Sequence, residues 1–298
     1  MNKPKVLVLV GPTASGKTAL SIELAKHFSG EVISADSRQV YRALDIGTEK
    51  ISPAEMQGVR HHLIDVVDVG TIYTAADFKR DATEAIGEIC SRSHLPIIAG
   101  GTFFYVDVLL GKVPTADVEP NEELRAYLND FNTEALYRQL EEVDPERAMN
   151  IDRHNKRRLI RALEIVAAKG LVPTTTSEQK QYDTLILGVE RTRTELRTRI
   201  RARAEAALKR GLVAETKKLL EQQVSAGRLS EIGLEYRLVL AYLNGTLAES
   251  ELVDQLEAKV WQYAKRQLTW LKRDTSIIWV DPLDREAIFL TVRDWLER

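Results

Sequence analysis

Eight consecutive residues, Gly11-Pro12-Thr13-Ala14-Ser15-Gly16-Lys17-Thr18, carry the first chemistry visible in this chain. They spell G-x-x-x-x-G-K-[ST]. The two glycines let the backbone turn tightly, so that successive N–H groups and a following helix N-terminus converge on one anion. Lys17 adds a mobile positive charge, and the Thr18 hydroxyl is placed to ligate Mg²⁺. Alone, the loop reads as a nucleotide-binding, ATP-binding motif; it specifies a diphosphate or triphosphate and leaves the reaction open. Asp36 ends a second predicted strand and so falls on the same rim, a candidate general base or magnesium partner, with a helix or turn cap as the plainer alternative. Gly100-Gly101-Thr102 ends a fourth, at 95–99, where glycines permit close backbone approach and Thr102 presents a hydroxyl.

Three basic clusters accompany these residues. On a helical wheel for residues 193–210, Leu196, Ile200, Ala204 and Ala207 form the apolar stripe, and Arg203 lies about 20° from Leu196. Arg203 therefore points inward and needs an anionic partner, a carboxylate or a bound phosphate. Arg199 lies beside it. In the second cluster, residues 153–161, Arg157 and Arg161 share a face away from the arc of Leu159, Ile160, Leu163 and Val166. That face suits a phosphate backbone, and pairing with nearby acids is the alternative. The third, residues 264–273, sets Trp270 among Lys265, Arg266, Lys272 and Arg273, compatible with stacking on a nucleotide or with a core indole.

The elements that must hold these groups follow from periodicity. Val6-Leu7-Val8-Leu9-Val10 is an unbroken apolar run of buried-strand type, and residues 19–26 have helical spacing. Further strands are predicted at 31–36, 61–68, 95–99, 184–189 and 277–280. Helices are predicted at 74–90, opened by a Thr74/Asp77 cap, and at 193–210, 212–223, 236–243, 252–272 and 286–296, with 227–233 as a breaker. From 116 to 179 no convincing strand occurs. Apolar repeats at 124–128, 136–143 and 159–168 read as successive helices, and 171–180 reads as a loop returning to the core. The expected architecture is α/β: a P-loop NTPase-like parallel sheet sandwiched by helices, formed by residues 1–114 and 183–298, with an inserted all-helical subdomain at 115–182. His61-His62 lacks metal-ligand spacing and reads as packing or local hydrogen bonding.

With 298 residues, 44% hydrophobic and 29% charged, the composition is that of a soluble globular chain. The net charge of −2 announces no nucleic acid globally, so any polyanion site must arise from local clusters. The five-residue apolar run passes into a glycine loop and reads as neither signal peptide nor membrane span. A single cysteine, Cys90, forms no internal disulfide and fits a reducing, cytoplasmic setting.

In this order, the loop 11–18, Asp36-Ser37-Arg38-Gln39-Val40-Tyr41 followed by Asp45-Ile46-Gly47-Thr48, Gly100-Gly101-Thr102, Arg157-Arg158-Leu159-Ile160-Arg161, Ile232-Gly233 and Ala264-Lys265-Arg266-Gln267-Leu268-Thr269-Trp270 resemble the bacterial tRNA dimethylallyltransferase, or tRNA isopentenyltransferase, family. The resemblance covers nearly the whole chain. It implies transfer of a dimethylallyl group from dimethylallyl diphosphate to N6 of the adenosine 3′ of a tRNA anticodon, in the cytoplasm, with Mg²⁺ and no protein partner, hence a monomer. It implies Asp36 as base and Lys17, Thr18 and Arg203 as catalytic groups on the diphosphate, with Gly11, Pro12, Thr13, Ala14, Ser15 and Gly16 completing the cradle and Thr18 on the metal. It implies tRNA contacts by Asp36, Ser37, Arg38, Gln39, Thr102, Arg125, Arg157, Arg158, Leu159, Ile160 and Arg161, and so a tRNA-binding role for the insertion. Where the family usually reads Ile-Gly-Tyr-Lys-Glu, this chain has Ile232-Gly233-Leu234-Glu235-Tyr236.

Three other classes share parts of this pattern. A P-loop kinase accounts for the loop and Arg203 and predicts ATP turnover, but not the clusters at 153–161 and 264–273. An adenylate isopentenyltransferase predicts activity on AMP and indifference to tRNA, against which the long insertion stands. A non-enzymatic RNA-binding module predicts that Asp36→Ala changes nothing.

Overall fold

The computed structural model describes residues 3–113, 116, 118–172 and 181–298. Residues 1–110 with 180–298 form one compact unit and residues 111–179 a second.

In the first unit the order among the described residues begins β1 (Lys5–Val10), α1 (Lys17–His27), β2 (Gly30–Ser34), α2 (Pro53–Met56), β3 (His61–His62), α3 (Ala75–Ser91), β4 (Leu95–Ala99) and α4 (Phe103–Leu109). The second unit holds α5 (Glu122–Asn129), α6 (Thr133–Val143), α7 (Pro145–Met149) and α8 (Lys156–Lys169). The first unit resumes with β5 (Asp183–Val189), α9 (Arg193–Arg210), α10 (Leu212–Glu221), α11 (Ala226–Ile232), α12 (Leu234–Leu243), α13 (Glu249–Leu271), β6 (Ile278–Val280) and α14 (Arg285–Glu297).

The six strands form one parallel sheet in the order β3-β2-β4-β1-β5-β6. β1 is paired on both edges, by β4 and β5, and packed on both faces by helices, which is why its sequence is apolar without alternation. The strand's pleat then sorts its residues. Val6, Val8 and Val10 join a core with Phe78 and Ile89 of α3 and Tyr236 of α12. Leu7 and Leu9 join a second with Leu20 and Leu24 of α1 and Ile288 and Val292 of α14. α3 opens on a capping box in which Thr74 and Asp77 satisfy each other's backbone N–H groups.

The second unit packs its four helices on Leu128, Leu136, Leu140, Ala148, Leu159 and Ile160. Among its described residues there is no strand. The expected return loop lies mostly at 173–180, outside the described residues.

Two sequence expectations are corrected. The strand predicted at 61–68 shrinks to His61–His62, because Leu63 and Asp65 adopt left-handed φ of 61° and 56°, which extended pairing does not tolerate. The predicted breaker at 227–233 is largely helix α11: the Ser225 side chain caps it by accepting from Arg228 N–H, and Gly233 serves as its C-cap. Among the described residues no helix is long and apolar enough to cross a membrane.

Candidate active site

A cavity of about 500 Å³ opens over the C-terminal ends of β1, β2 and β4, and Lys17, Thr18, Asp36, Thr102 and Arg203 all line it. This is where a parallel sheet places ligands, because the βα turns there leave helix N-termini and free amides facing one crevice. α1 begins at Lys17 on Gly16, whose φ of 101° is a left-handed conformation that favours glycine. At Gly100 the constraint is space: a Cβ there would lie 2.1 Å from the Ala35 carbonyl oxygen, one residue before Asp36.

The loop is held from behind by arginines of α9 and the turn before it. Arg199 Nε donates to the Ala14 carbonyl at 2.6 Å, Arg191 Nε to the Ser15 carbonyl at 3.4 Å, and Arg203 Nη1 to Thr13 Oγ1 at 3.1 Å. Arg203 thus points to the loop as its wheel position requires, and its carboxylate partner is Glu49, at 3.5 Å. Two other α9 arginines turn outward, Arg197 and Arg201 pairing with Glu257 of α13, whereas Arg210 lines the cavity. Lys17 is buried, with Nζ donating to the Pro12 carbonyl at 2.8 Å. Burial first, and the Arg203 charge second, push its ammonium down to about 7, with Asp36 opposing.

Asp36 is fixed by its own turn. Its Oδ1 accepts from the backbone N–H of Arg38 at 2.9 Å and of Gln39 at 3.4 Å. Oδ2 has no hydrogen-bond partner among the described residues, so one oxygen anchors the carboxylate and the other remains to accept a proton. The cap alternative for Asp36 is therefore also realised, and it serves to aim the group. Ser37 N–H and Ser37 Oγ both meet Thr102 Oγ1, at 3.0 and 3.2 Å, tying the Asp36 turn to the corner after β4.

Several residues in and around the site were not singled out by sequence reasoning. Gln267, in α13, accepts from Thr13 N–H at 2.8 Å and donates to the Gly101 carbonyl at 2.8 Å, bracing the phosphate loop against that corner. Glu235 pairs with Arg38 at 2.8 Å, and Arg38 also lies over the Tyr263 ring at 5.4 Å from its centroid. Burial raises the Glu235 carboxyl above its usual range. Glu215 accepts from the amides of Asp45, Ile46 and Gly47 and from the Tyr236 hydroxyl, holding the turn that carries Thr48 and Glu49. The only sequence signals were the Ala264–Trp270 run around Gln267 and the departure at 234–236.

The remaining predicted residues lie in the helical unit and divide sharply. Arg157 and Arg158 are exposed. Arg125 and Arg161 both grip buried Glu164, Arg125 Nε at 2.9 Å, and Asn121 N–H adds a third donor. Leu159 and Ile160, expected at a tRNA surface, are 0% and 7% exposed in the unit's core, so their side chains pack rather than touch a ligand. Trp270 donates to Asp107 at 2.9 Å and packs at the core edge, settling its alternatives toward structure. His62 bonds Glu31 at 2.7 Å, and among the described residues no cluster of His, Cys, Asp and Glu suits a metal ion. A hard cation held by one hydroxyl, substrate phosphate oxygens and water needs no such cluster, so Thr18 beside the loop fits Mg²⁺.

Residues 39–274 match the IPP transferase family model. A tRNA dimethylallyltransferase of Thermomicrobium roseum is 45% identical over 305 residues, covering 100% of this chain and 92% of that protein. One from Streptococcus sanguinis is 39% identical, covering 99% and 100%. Among solved structures, the tRNA isopentenylpyrophosphate transferase of Bacillus halodurans superposes with a TM-score of 0.73 at 37% identity, covering 99% of this chain and 96% of that one. Crystallographic snapshots of a eukaryotic dimethylallyltransferase acting on tRNA give a TM-score of 0.79 at 28% identity, covering 95% and 75%. The chain belongs to the IPP transferase family.

Proposed function

We propose that this chain transfers the dimethylallyl group of dimethylallyl diphosphate to N6 of the adenosine 3′ of a tRNA anticodon, releasing diphosphate. The observation that carries the reading is one cavity with an anion cradle, Lys17 and Arg203 included, and an anchored carboxylate, Asp36, with an oxygen to spare. A phosphoryl-transfer site would also combine a cradle with a base, so the preference for prenyl transfer rests on the family match and is tested by the products formed.

The chemistry follows from the charges. The C1–O bond of the allylic diphosphate breaks and its electron pair leaves with the diphosphate, so the largest new charge develops on the leaving group. Loop amides, Lys17 and Arg203 meet that charge where it forms. Mg²⁺, bound through Thr18, would further neutralise the diphosphate. The N6 lone pair forms the new C–N bond, and the displaced N6 proton passes to Asp36. The nucleophile is weak, its lone pair delocalised into the purine, so a fixed acceptor aligned on N6 matters. A stacked base cannot reach such a cavity, and the adenosine would be splayed out of its loop to enter. Ser37, Gln39 and Thr102 line the cavity it would occupy. Arg157 and Arg158, on the helical insertion, would lie against the RNA backbone.

The test is incubation with dimethylallyl diphosphate and total tRNA, followed by mass analysis of the nucleosides. A five-carbon addition on adenosine supports the reading. ATP turnover without transfer would favour a kinase, and modification of AMP but not tRNA would favour an adenylate prenyltransferase.

A further inference from the structure

The cavity contains a carboxylate that neither the cradle nor the base requires. Glu49 lines the same space as Lys17, Thr18, Arg199, Arg203 and Arg210. Its Oε1 accepts from Arg210 Nη2 at 2.7 Å, and its Oε2 lies 3.5 Å from Arg203 Nε. Arg203 is therefore stretched between two groups, Thr13 of the loop on one side and Glu49 on the other.

The backbone presents this carboxylate deliberately. Glu49 adopts φ of 53°, a left-handed conformation uncommon for its residue type. Its N–H donates to the Ile46 carbonyl at 3.2 Å, and its carbonyl accepts from Gln39 Nε2 at 3.1 Å. The preceding turn is clamped by Glu215 through three amides. The other cavity carboxylates have separate tasks: Asp36 is anchored to its own turn, Glu235 pairs with Arg38, and Glu55 caps Ser52.

We propose that Glu49 is a resident anion that occupies Arg203 and Arg210 when no diphosphate is bound, competes with diphosphate for them, and thereby promotes product release. It is a positioning and release residue, not one that touches the reacting carbon. Arg210 becomes, on the same geometry, a further diphosphate-binding arginine. Physically, a fixed negative charge among the cations penalises every anionic ligand, and more so the ligand with more charge. Cleavage of the C1–O bond turns a phosphate ester oxygen into a free, ionisable one. The product diphosphate consequently feels Glu49 more strongly than the allylic diphosphate does, and the arginines are handed back to the carboxylate as it departs.

This inference rests on the proposed prenyl transfer, and the experiment separates the two. Binding of Mg²⁺-diphosphate and of Mg²⁺-dimethylallyl diphosphate to the intact protein is measured by calorimetry at pH 8, for wild type, Glu49→Gln and Glu49→Gly. The glycine variant removes the carboxylate at a φ that glycine adopts freely. Both variants are expected to bind diphosphate on the order of tenfold more tightly, to gain less for dimethylallyl diphosphate, and to show a lower kcat with stronger inhibition by added diphosphate. Unchanged or weaker diphosphate binding in both variants overturns the inference and makes Glu49 a mere strut for the arginines. An equal gain for the two ligands overturns the release role. If wild type binds neither ligand, the cradle itself, and the proposed function with it, is refuted.

Discussion

Arginines in the phosphate-loop core and arginines in the helical insertion look alike as clusters of charge, and the structure employs them in opposite ways. In the core, Arg199 and Arg203 lean inward and donate to the loop itself, to the Ala14 carbonyl and the Thr13 hydroxyl, while lining the cavity. Arg199 meets the neutral Ala14 carbonyl, and Arg203 divides its charge between the Thr13 hydroxyl and the partly exposed Glu49 carboxylate at 3.5 Å, an acceptor that an incoming anion can displace. In the insertion, Arg125 and Arg161 meet a buried carboxylate, Glu164, and hold the helices of that unit together. Their neighbours Arg157 and Arg158 carry exposed charge. An inward arginine that reaches the loop and lines the cavity marks a ligand site, and one that grips a fully buried carboxylate marks structure. Composition alone does not separate them.

The largest expected effect tests the core side. Asp36→Asn keeps the hydrogen bonds that its Oδ1 accepts and removes the proton acceptor, so single-turnover transfer should fall roughly 10²- to 10⁴-fold with tRNA affinity near normal. Filter binding beside quench-flow assays checks this, and loss of affinity with normal chemistry on bound substrate would make Asp36 a positioning group. On the insertion side, Glu164→Gln leaves two arginines facing an uncharged partner in a buried place. Removing one member of such a network costs about 3 kcal/mol, to be read from urea unfolding monitored at the insertion, whereas Arg157→Ala should change stability by less than about 0.5 kcal/mol. A Glu164→Gln cost as small as that of Arg157→Ala would erase the contrast between the paired and the exposed arginines.

What could be read ahead from the sequence was what short spacing encodes. Gly11 to Thr18 needs only its own eight residues to announce an anion cradle, and Arg203 betrays its direction through a wheel position beside Leu196. The same wheel placed Leu159 and Ile160 in the insertion's apolar arc, so periodicity was the better guide there than the run of family-like residues. The errors arose where backbone conformation departed from residue preference. Nothing in Leu63 or Asp65 advertises a positive φ, so the strand at 61–68 was too long. Gly227 and Gly233 read as breakers, but the Ser225 cap outweighs the propensity cost of a glycine in a short helix. Gln267 and Glu235 were invisible for a different reason. Their partners, Thr13 and Arg38, lie 254 and 197 positions away, and only the packing of α12 and α13 in the folded unit brings them together.

A smaller effect is expected at the exposed end of α8. Arg157→Ala should weaken tRNA binding about threefold to tenfold and lower the slope of log affinity against log salt by about 1, with Arg158→Ala adding a similar step. Diphosphate binding should be untouched in both. The paired arginine supplies the control: if Arg125→Gln lowers the salt slope as Arg157→Ala does, engagement by Glu164 does not remove an arginine from the RNA interface. An unchanged slope for Arg157 and Arg158 would take that face of the insertion off the RNA altogether.

The smallest effect is a single proton, and it reports whether the core cations are held ready for an anion. Burial and Arg203 bring Lys17 down to about 7 in the folded protein, against an ordinary value of 10.5. The unfolded chain thus binds the extra proton between these values and the folded chain does not, so this group's penalty on stability is full below pH 7 and is relieved as pH rises toward 10.5. A bound diphosphate reverses the balance, because a nearby anion favours the ammonium. At pH 8 diphosphate binding should take up close to one proton at Lys17, measured as the dependence of calorimetric enthalpy on the ionisation enthalpy of the buffer. Lys17→Arg, which stays charged throughout, corrects for protons exchanged by the ligand. Equal uptake in the two proteins would mean that Lys17 is already charged before the anion arrives, and that the core holds it as firmly as the insertion holds Arg161.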